Sequence, residues 1–237
     1  MQGSSRAAFA AGHDAFAAEL GTGVHGSALA GDLFGVTGAL DSSASLRRAL
    51  VDPSRDAAAK RGLVEVLFAT RISAAAAAVV NALVSQHWAD DHDLGDATEA
   101  LAVEALVASA EAGGRLDALE DDLFRFERLV AADSGLRDAL SAHGGDENVK
   151  AALVEALLAG KASVETIRLA RQAAVSLTQG QRQRLVQALS AIYNGPVQIN
   201  VVLDPAVVGG IRVQVGDEVV DGTILRRLQE AERALLI

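Results

Sequence analysis

An internal repeat is the feature that most constrains what this chain can fold into. When the sequence is shifted by ninety residues without a gap, Ala28–Ser73 aligns with Ala118–Ser163, and 17 of the 46 aligned positions carry the same residue. The match continues through two loops, which a shared Ala- and Leu-rich helical composition alone would not produce. We therefore interpret the repeat as a duplication, and we expect the two-copy helical unit to make a longer bundle and not a solenoid.

The spacing of apolar residues predicts helices along the chain as far as about residue 171. Phe9, His13 and Phe16 follow one another at steps of four and three residues, which places them on one face of the first helix. Pro53 disfavours helix at the preceding residue, so it separates a short helix from the next one. The helices predicted in this region are Ser4–Leu20, Ser27–Leu40, Leu46–Val51, Ser54–Thr70, Ser73–His87, Asp96–Ala112 and Arg115–Ala131.

The hydrophobic pattern changes after residue 171. The apolar residues now alternate, as in strands, and Gly216 with Asp217 predicts the tight turn of a hairpin. The predicted elements are a helix at Leu177–Tyr193, strands at Val197–Leu203 and Ile211–Val215, a return strand at Glu218–Val220 and a terminal helix. The expected fold is therefore mainly α, with an N-terminal multi-helix bundle over residues 1–172, enlarged by the duplication. A small C-terminal α+β domain with a β-hairpin would follow over residues 173–237.

The stretch DPAVVGGIRVQVGDEVVDGT, Asp204–Thr223, is rich in glycine and aspartate, and these residues have predicted backbone roles. Gly209 and Gly210 stand where a strand begins sharply or where another backbone comes close. Asp221 is predicted to cap the last helix. No ligand is needed to explain the motif, whose structural residues are Asp204, Pro205, Gly209, Gly210, Gly216, Asp217, Asp221 and Gly222.

The composition argues against several classes of function. Asp and Glu outnumber Lys and Arg by 31 to 21, and a net charge of −10 opposes binding to nucleic acids or to anionic lipids. The absence of cysteine excludes disulfides, thiolate catalysis and cysteine-based zinc sites. The longest apolar run, Ile72–Val84, is too short to span a bilayer, and the N-terminus lacks the basic start of a signal peptide. We therefore expect a cytoplasmic protein without direct membrane insertion.

Two motifs resemble ligand-binding loops but lack the required context. GTGVHG, Gly21–Gly26, matches the dinucleotide pattern GxGxxG, but a predicted helix precedes it, so we interpret it as a link between two helices. HWADDHDLGD, His87–Asp96, has a composition that suits either a metal site or a polar loop, and it matches neither a calcium loop nor an HExxH zinc site. No residues stand at a spacing that suggests a triad with His13. We expect no catalytic site, no cofactor and no bound metal.

The C-terminal motif resembles that of a known family. The segment VVLDPAVVGGIRVQVGDEVVDGTILRRL, Val201–Leu228, has a strand, Asp-Pro, an apolar pair, Gly-Gly, a strand ending in Gly-Asp, and Asp-Gly-Thr before a final helix. This order is similar to the signature of the delta subunit of F-type ATP synthase, the family of the mitochondrial oligomycin-sensitivity-conferring protein. Similarity to the family also extends over Leu177–Val201 and over two helical segments, Leu46–Phe68 and Leu106–Leu129.

The chain departs from the family pattern in two places. Its helical part is longer than the family's usual domain, and the second repeat copy, up to about Ser163, accounts for the excess. The family also places an extended strand before the Leu-Ser/Thr cap, where this chain has only LARQAAVSLT, Leu169–Thr178. Either that strand is very short or residues are missing there, which leaves the number of strands and the domain boundary open.

The resemblance implies a stator subunit of the peripheral stalk that has no catalytic site of its own. The helical domain would bind N-terminal helices of the α subunits on top of the α3β3 head, and the C-terminal domain would hold the C-terminal region of the b subunit. The protein would then lie on the cytoplasmic side of the cell membrane as a peripheral part of the synthase. The candidates for contact with the α subunit are Phe9, His13, Phe16, Val79, Val80 and Leu83, and the alternative for each is a place in the helical core.

A function of a different class is the alternative to a stator. A helical domain that binds a small molecule or acts as an enzyme would need a pocket with converging polar groups, which the sequence does not show. Within the stator interpretation, we expect the duplicated unit to make additional helix contacts or to reach further along the stalk.

Overall fold

The computed structural model describes residues 3–141, 147–175, 212–215 and 218–221. Within these ranges the chain forms ten helices and two strands, so the prediction of a mainly α fold is confirmed. The helices are α1 (Ser4–Gly21), α2 (Gly26–Ser42), α3 (Ala44–Val51), α4 (Ala57–Phe68), α5 (Ala74–Val84), α6 (His92–Ala112), α7 (Leu116–Ala132), α8 (Ser134–Ser141), α9 (Glu147–Leu158) and α10 (164–175). The strands are β1 (Arg212–Val215) and β2 (Glu218–Asp221).

The chain divides into two compact units, Met1–Gln183 and Arg184–Ile237. The described helices belong to the first unit, and the two strands belong to the second. The domain boundary expected from the sequence, between residues 172 and 173, stays a prediction.

A side-chain cap sets the beginning of α4. The carboxylate of Asp56 accepts a hydrogen bond of 2.7 Å from the backbone N–H of Ala59, as an N-cap residue does. The helix therefore begins at Ala57 and not at Ser54, where the sequence analysis placed its start. The reason is that Asp52 accepts hydrogen bonds from both the backbone N–H and the hydroxyl of Ser54, which closes a separate turn after α3.

Helix α6 also begins at a different residue from the predicted one. It starts at His92, about one turn before the expected start at Asp96. The carboxylate of Asp90 accepts a hydrogen bond of 2.8 Å from the backbone N–H of His92. Asp93 adds a negative charge in the first turn, where the helix dipole favours it. The acidic segment therefore initiates a helix instead of forming a longer loop.

The bounds of the helices recur at an interval of ninety residues. Helices α7, α8 and α9 begin and end ninety residues after α2, α3 and α4, and α10 begins ninety residues after α5. The two segments, called here the first copy (α2 to α5) and the second copy (α7 to α10), thus have the same helices in the same order. This correspondence supports the proposal that a helical unit was duplicated.

Two close helix contacts hold the core around the first copy. Helix α6 packs along α2, and α1 packs along α5. A Cβ atom added at Gly26 of α2 would lie 2.4 Å from the backbone oxygen of Ala105 in α6, so only glycine allows this approach. The largest fully buried side chains of this core are Phe16, Leu29, Leu33, Leu40, Leu50, Leu83, Leu94, Leu101 and Leu106.

Helix α6 also binds the second copy through α10. The hydroxyl of Ser109 donates a hydrogen bond of 3.1 Å to Glu165 Oε1, and Gln172 Nε2 donates one of 2.8 Å to Glu99 Oε1. Helix α6 thus contacts both copies, and Arg168 of α10 also donates hydrogen bonds directly to Ser27 of α2. The second copy has an apolar cluster of its own, formed by Leu140, Val154, Leu158, Ala170 and Ala174.

Helix α7 is much more exposed than α2, its equivalent in the first copy. Ala30 and Thr37 of α2 are buried, whereas Glu120 and Glu127 at the equivalent positions of α7 are exposed. Leu119 is the one residue of α7 that is fully buried. The charged side chains on this face of α7 stay hydrated, so α7 contributes less apolar surface to the core than α2 does.

The two described strands of the second unit form an antiparallel pair. Arg212 pairs with Asp221, and Val215 pairs with Glu218, so two residues connect the strands. This register is the one that a turn at Gly216 and Asp217 requires. Asp221 ends β2, and the helix that it was predicted to cap lies outside the described residues. The same holds for the predicted roles of Asp204, Pro205, Gly209, Gly210, Gly216, Asp217 and Gly222.

Candidate partner-binding site

Three candidate residues lie together on α1, but at different depths. The ring centroids of Phe9 and His13 are 6.2 Å apart, and those of His13 and Phe16 are 6.1 Å apart. Phe16 is fully buried, whereas Phe9 and His13 are partly exposed. His13 Nε2 lies 3.0 Å from Glu104 Oε1 of α6, which holds the imidazole ring in place. Phe9 and His13 therefore present surface to solvent, and Phe16 belongs to the core.

The three candidates on α5 are core residues. Val79 and Leu83 are 0% exposed and Val80 is 2% exposed, so none of them offers surface to a partner in this structure. The indole N–H of Trp88 donates a hydrogen bond of 2.9 Å to the backbone oxygen of Leu83, which closes the end of the helix. For these side chains the structure agrees with the alternative that the sequence analysis left open.

A groove of about 530 Å³ lies between α4 and α5. Three polar side chains, those of Arg61, Glu65 and Asn81, border it. Asn81 Oδ1 is buried and accepts no hydrogen bond from the residues that the structure describes. Arg61 donates to the hydroxyl of Ser85 at 3.3 Å, while Glu65 forms no ion pair within the same part of the chain. The rest of the lining is apolar or small: Ala58, Gly62, Val64, Phe68, Ala69, Ile72 and Ala77.

The second copy has larger side chains at two of these positions. Ile167 stands at the position of Ala77, and Arg171 stands at the position of Asn81. Arg171 Nη1 lies 3.1 Å from Glu155 Oε2, and Glu155 is the equivalent of the groove glutamate. The groove of the first copy has its cation on α4, at Arg61, whereas the second copy has one on α10.

Sequence analysis missed this groove, because alanine and asparagine are unremarkable in an Ala-rich helix. The repeat contained a usable signal. Aligning the two copies shows Ala77 replaced by Ile167 and Asn81 by Arg171, which indicates a difference in volume and charge on one helix face. The difference indicates a groove only when α4 and α5 are known to lie side by side.

The acidic segment before α6 brings three candidate metal ligands together. Asp90, Asp91 and His92 offer ligand atoms within 4.8 Å of one another. His92 Nδ1 lies 3.1 Å from a carboxylate oxygen of each aspartate, and Arg47 Nε lies 3.6 Å from Asp91 Oδ2. The backbone hydrogen bond from His92 is the main reason that the pKa of Asp90 lies below its ordinary value. These contacts explain why the three residues lie close together, and the cluster forms the start of α6.

A buried glutamate links α10 to the end of α6. Glu165 Oε1 accepts hydrogen bonds from Arg115 Nη2 at 2.5 Å and from the hydroxyl of Ser109 at 3.1 Å. Burial by itself raises the pKa of Glu165, but the hydrogen bonds from Arg115 and Ser109 outweigh it and leave the pKa below its ordinary value. Arg115, at the start of α7, therefore has a structural role where α6, α7 and α10 meet.

The glycine-rich GTGVHG segment connects two helices. Gly21 is the last residue of α1, and α2 begins at Gly26. Gly23 has a φ of 85°, a conformation that glycine adopts without strain. Because a helix and not a strand precedes the segment, the dinucleotide-binding arrangement is absent here.

The described polar clusters thus have structural explanations, and a helical unit with a groove and a partly exposed aromatic stripe has the features of an assembly subunit.

The comparisons with known proteins agree with this class of protein. The family model for the ATP synthase delta (OSCP) subunit matches residues 172–235. The ATP synthase subunit delta of Beutenbergia cavernae is 40% identical over 99% of both chains, and that of Streptomyces coelicolor is 36% identical over 99% of this chain and 98% of its own. That of Kineococcus radiotolerans is 46% identical over 86% of each chain.

Identity of this extent along nearly the whole of both chains shows the family. The chain belongs to the ATP synthase delta (OSCP) family, and it is a non-catalytic stator component of the F-type ATP synthase. The resemblance drawn from the C-terminal motif is therefore confirmed.

The comparison also reveals a difference in length. The alignment with the Beutenbergia protein spans 269 positions, more than the 237 residues of this chain, so the relative has residues with no counterpart here. The sequence analysis left two alternatives for Leu169–Thr178, a very short strand or missing residues, and the described part of this segment, up to residue 175, belongs to α10 and not to a strand. Within the described residues, no helix is long and apolar enough to cross a membrane.

Proposed function

We propose that this subunit links the top of the α3β3 catalytic head to the b subunit, so that the head does not rotate with the torque of proton-driven ATP synthesis. The helical unit would bind N-terminal helices of the α subunits. The C-terminal region would hold the C-terminal region of b. The membership of the family supports a stator, and the assignment of the two partners is our proposal.

The observation that carries the proposal for the α subunit is the partly exposed aromatic stripe of α1. Phe9 and His13 lie on a helix that packs against both α5 and α6, so their positions are set by a rigid core. An amphipathic helix binds such a surface by placing its apolar face against exposed aromatic and aliphatic groups. Phe16 lies beneath the stripe and supports it from the core.

The match of the family model supports the assignment of the C-terminal region to b. Residues 172–235 include the strand pair β1 and β2 and the Asp-, Gly- and Pro-containing motif around it. This is the part of the chain that most resembles the family as a whole. A hairpin with a defined register is a rigid element against which a partner helix can lean. The protein would then lie at the cytoplasmic side of the membrane as a peripheral part of the complex.

A peptide titration tests the proposed contact with the α subunit. A synthetic peptide with the N-terminal sequence of the organism's own α subunit should bind the full chain, and calorimetry should give a single site for the α1 stripe. Phe9→Ala with His13→Ala should weaken binding about tenfold or more, the loss expected when aromatic contacts at an interface are removed.

Val66→Ala is the matched control, because Val66 is 82% exposed on α4 and lies outside the stripe. The control should bind as the natural sequence does. A chain that binds neither the peptide nor the purified head would contradict the proposed contact. So would a double variant on α1 that binds the peptide with unchanged affinity.

A further inference from the structure

We propose that the exposed face of α7 is a docking site for one amphipathic helix, a counterpart of α6 that completes the second copy, and that the chain binds such a helix in trans. The face consists of Leu116, Glu120, Phe124 and Glu127 and is called here the α7 face. The inference rests on the repeat and on the length of the relatives. It does not depend on the proposed contacts with the α and b subunits.

Helix α6 belongs to the arrangement of both copies. In the first copy it packs along α2. It also follows α1 by about ninety residues, and it is bonded to α10 from Ser109 to Glu165 and from Glu99 to Gln172, as α1 packs along α5. Helices α6 to α10 therefore correspond to α1 to α5. A complete second copy needs one further helix, the counterpart of α6 itself.

The first compact unit has no room for that helix after α10. The unit ends at Gln183 and α10 is described as far as residue 175, so eight residues of the unit lie beyond it, whereas α6 has 21. The alignment with the Beutenbergia protein spans 269 positions, 32 more than the 237 residues of this chain. The first copy passes from the end of α5 to the start of α7 in the 31 residues from Ser85 to Arg115, which include α6. The additional residues of the relative are thus as many as a counterpart of α6 with its connections requires.

Helix α6 covers one side of α2 in the first copy. Gly26 of α2 lies so close to α6 that an added Cβ would come within 2.4 Å of the backbone oxygen of Ala105. Ala30 and Thr37 follow Gly26 by four and eleven residues, which places them on the same side of the helix. All three are buried, and Phe34 beside them is half-buried. This burial is what a sixth helix provides.

The same side of α7 is exposed. The four residues of the α7 face stand ninety residues after those on the covered side of α2. Leu116 is 41% exposed and Phe124 is 62% exposed, and both glutamates are exposed as well. Large apolar side chains on one face of a helix offer a surface to the apolar side of another helix. Because this surface lies where the repeat places a covering helix, we expect a helix as its occupant.

The residues of the α7 face define the helix that fits. Leu116 replaces a glycine of α2, so the axis of the incoming helix should lie about 10 Å from α7 and not about 8 Å. Glu120 and Glu127 replace two uncharged residues, and neither forms an ion pair within the described ranges. The occupant should therefore place small or apolar side chains against Leu116 and Phe124, and Arg or Lys near the two glutamates.

Protection of a single thiol tests the location. The chain has no cysteine, so Glu120→Cys places a unique thiol on the α7 face, and Leu129→Cys places one on the opposite side of the same helix, where Leu129 is 44% exposed. The probe is a synthetic peptide with the residues of the Beutenbergia protein that have no counterpart in this chain. Saturating peptide should slow the reaction of a maleimide at position 120 several-fold and leave position 129 unchanged. Equal rates of protection at both positions, or none at either, would overturn the site.

A matched pair of charge reversals tests the chemistry. Glu120→Lys and Asp121→Lys change the charge of adjacent exposed residues equally, but only Glu120 lies on the α7 face. In calorimetric titrations of the full chain with the peptide, Glu120→Lys should weaken binding about tenfold, because an attraction becomes a repulsion. Asp121→Lys should change the affinity by less than about twofold, and both variants should keep the unfolding temperature of the natural sequence. Equal losses of affinity would contradict the assignment of the face.

A graft tests the fit within one chain. The same residues of the relative, inserted after α10, are tethered beside α7 at a high effective concentration. The grafted chain should protect the thiol at position 120 without added peptide and should unfold at a higher temperature than the natural sequence. A folded graft with a fully reactive thiol would overturn the inference. Protection in the graft without binding of the free peptide would overturn docking in trans.

Two further controls decide between occupants. An α-subunit peptide that protects the thiol at position 120 as well as the probe does would assign the face to the catalytic head. A natural chain that forms dimers, with Glu120→Lys monomeric, would assign it to a second copy of this chain. Either result would overturn the proposed occupant. We expect the α-subunit peptide to leave this thiol reactive and sedimentation to show a monomer.

Discussion

The carboxylate of Asp32 on α2 accepts a hydrogen bond of 2.8 Å from the backbone N–H of Ser73, the residue that caps α5. Ninety residues later, Asp122 of α7 accepts one of 3.2 Å from the backbone N–H of Ser163, just before α10. The N–H groups at a helix start have no partner within the helix. The same pair of residues therefore ties the first and last helices together in both copies, and it satisfies one of these groups each time.

Replacing Asp32 should destabilise the helical unit by a measurable amount. Asp32→Ala leaves the N–H of Ser73 without its charged acceptor, and we expect a loss of about 1–2 kcal/mol in the free energy of unfolding. Urea denaturation followed by circular dichroism measures it. Asp14→Ala, at an exposed position of α1, is the control and should change the stability by no more than about 0.5 kcal/mol. Equal effects of the two substitutions would show that the link to α5 is unimportant.

Two glycines of α2 should respond to alanine with opposite signs. A Cβ at Gly26 would meet the backbone oxygen of Ala105 at 2.4 Å, so Gly26→Ala must push α2 away from α6 and should cost about 2 kcal/mol or more. Gly38 is exposed with nothing within 4 Å of an added Cβ, so Gly38→Ala should gain about 0.5–1 kcal/mol from helix propensity. Thermal unfolding distinguishes the two. A gain at both positions would mean that the helices can separate without loss.

The ion pair between Glu165 and Arg115 should make the free energy of unfolding depend on pH. The pKa of Glu165 in the folded state lies below its ordinary value of 4.5, because hydrogen bonds from Arg115 and Ser109 outweigh burial. Its contribution is therefore complete above pH 4.5 and is lost as the pH falls through the lowered pKa. Since Arg115 is about half exposed and screened by solvent, we expect about 1 kcal/mol at neutral pH.

Glu165→Gln isolates this contribution. The variant should be less stable than the natural sequence at pH 7, and the difference should shrink in acid, where Glu165 of the natural sequence also becomes neutral. Denaturant titrations of both proteins at several pH values between 3 and 7 measure the difference. A difference that stays constant over this range would show that the loss comes from packing and not from the charge.

The local elements followed from the sequence because their causes are local. The stripe of α1 and the order of the helices follow from the spacing of apolar residues, because residues three or four apart lie on the same face of a helix. The repeat predicted equivalent helices, and α7 to α9 do recur ninety residues after α2 to α4. Where helix starts were wrong, as for α4 and α6, the cause was a side chain such as Asp52 or Asp90 that binds a backbone N–H two residues away.

By itself, then, the sequence determined the helical class of the protein, its repeat and its family, since periodicity and a contiguous motif lie in one stretch of chain. Only the tertiary structure decided that Phe16 and Val79 are core while Phe9 is partly exposed. It alone revealed the groove beside Asn81 and the bond from Arg115 to Glu165. Depth, unmet hydrogen bonds and ion pairs depend on which helices meet. The arrangement of the helices is set by contacts between residues far apart in the chain, and a local sequence pattern does not report such contacts.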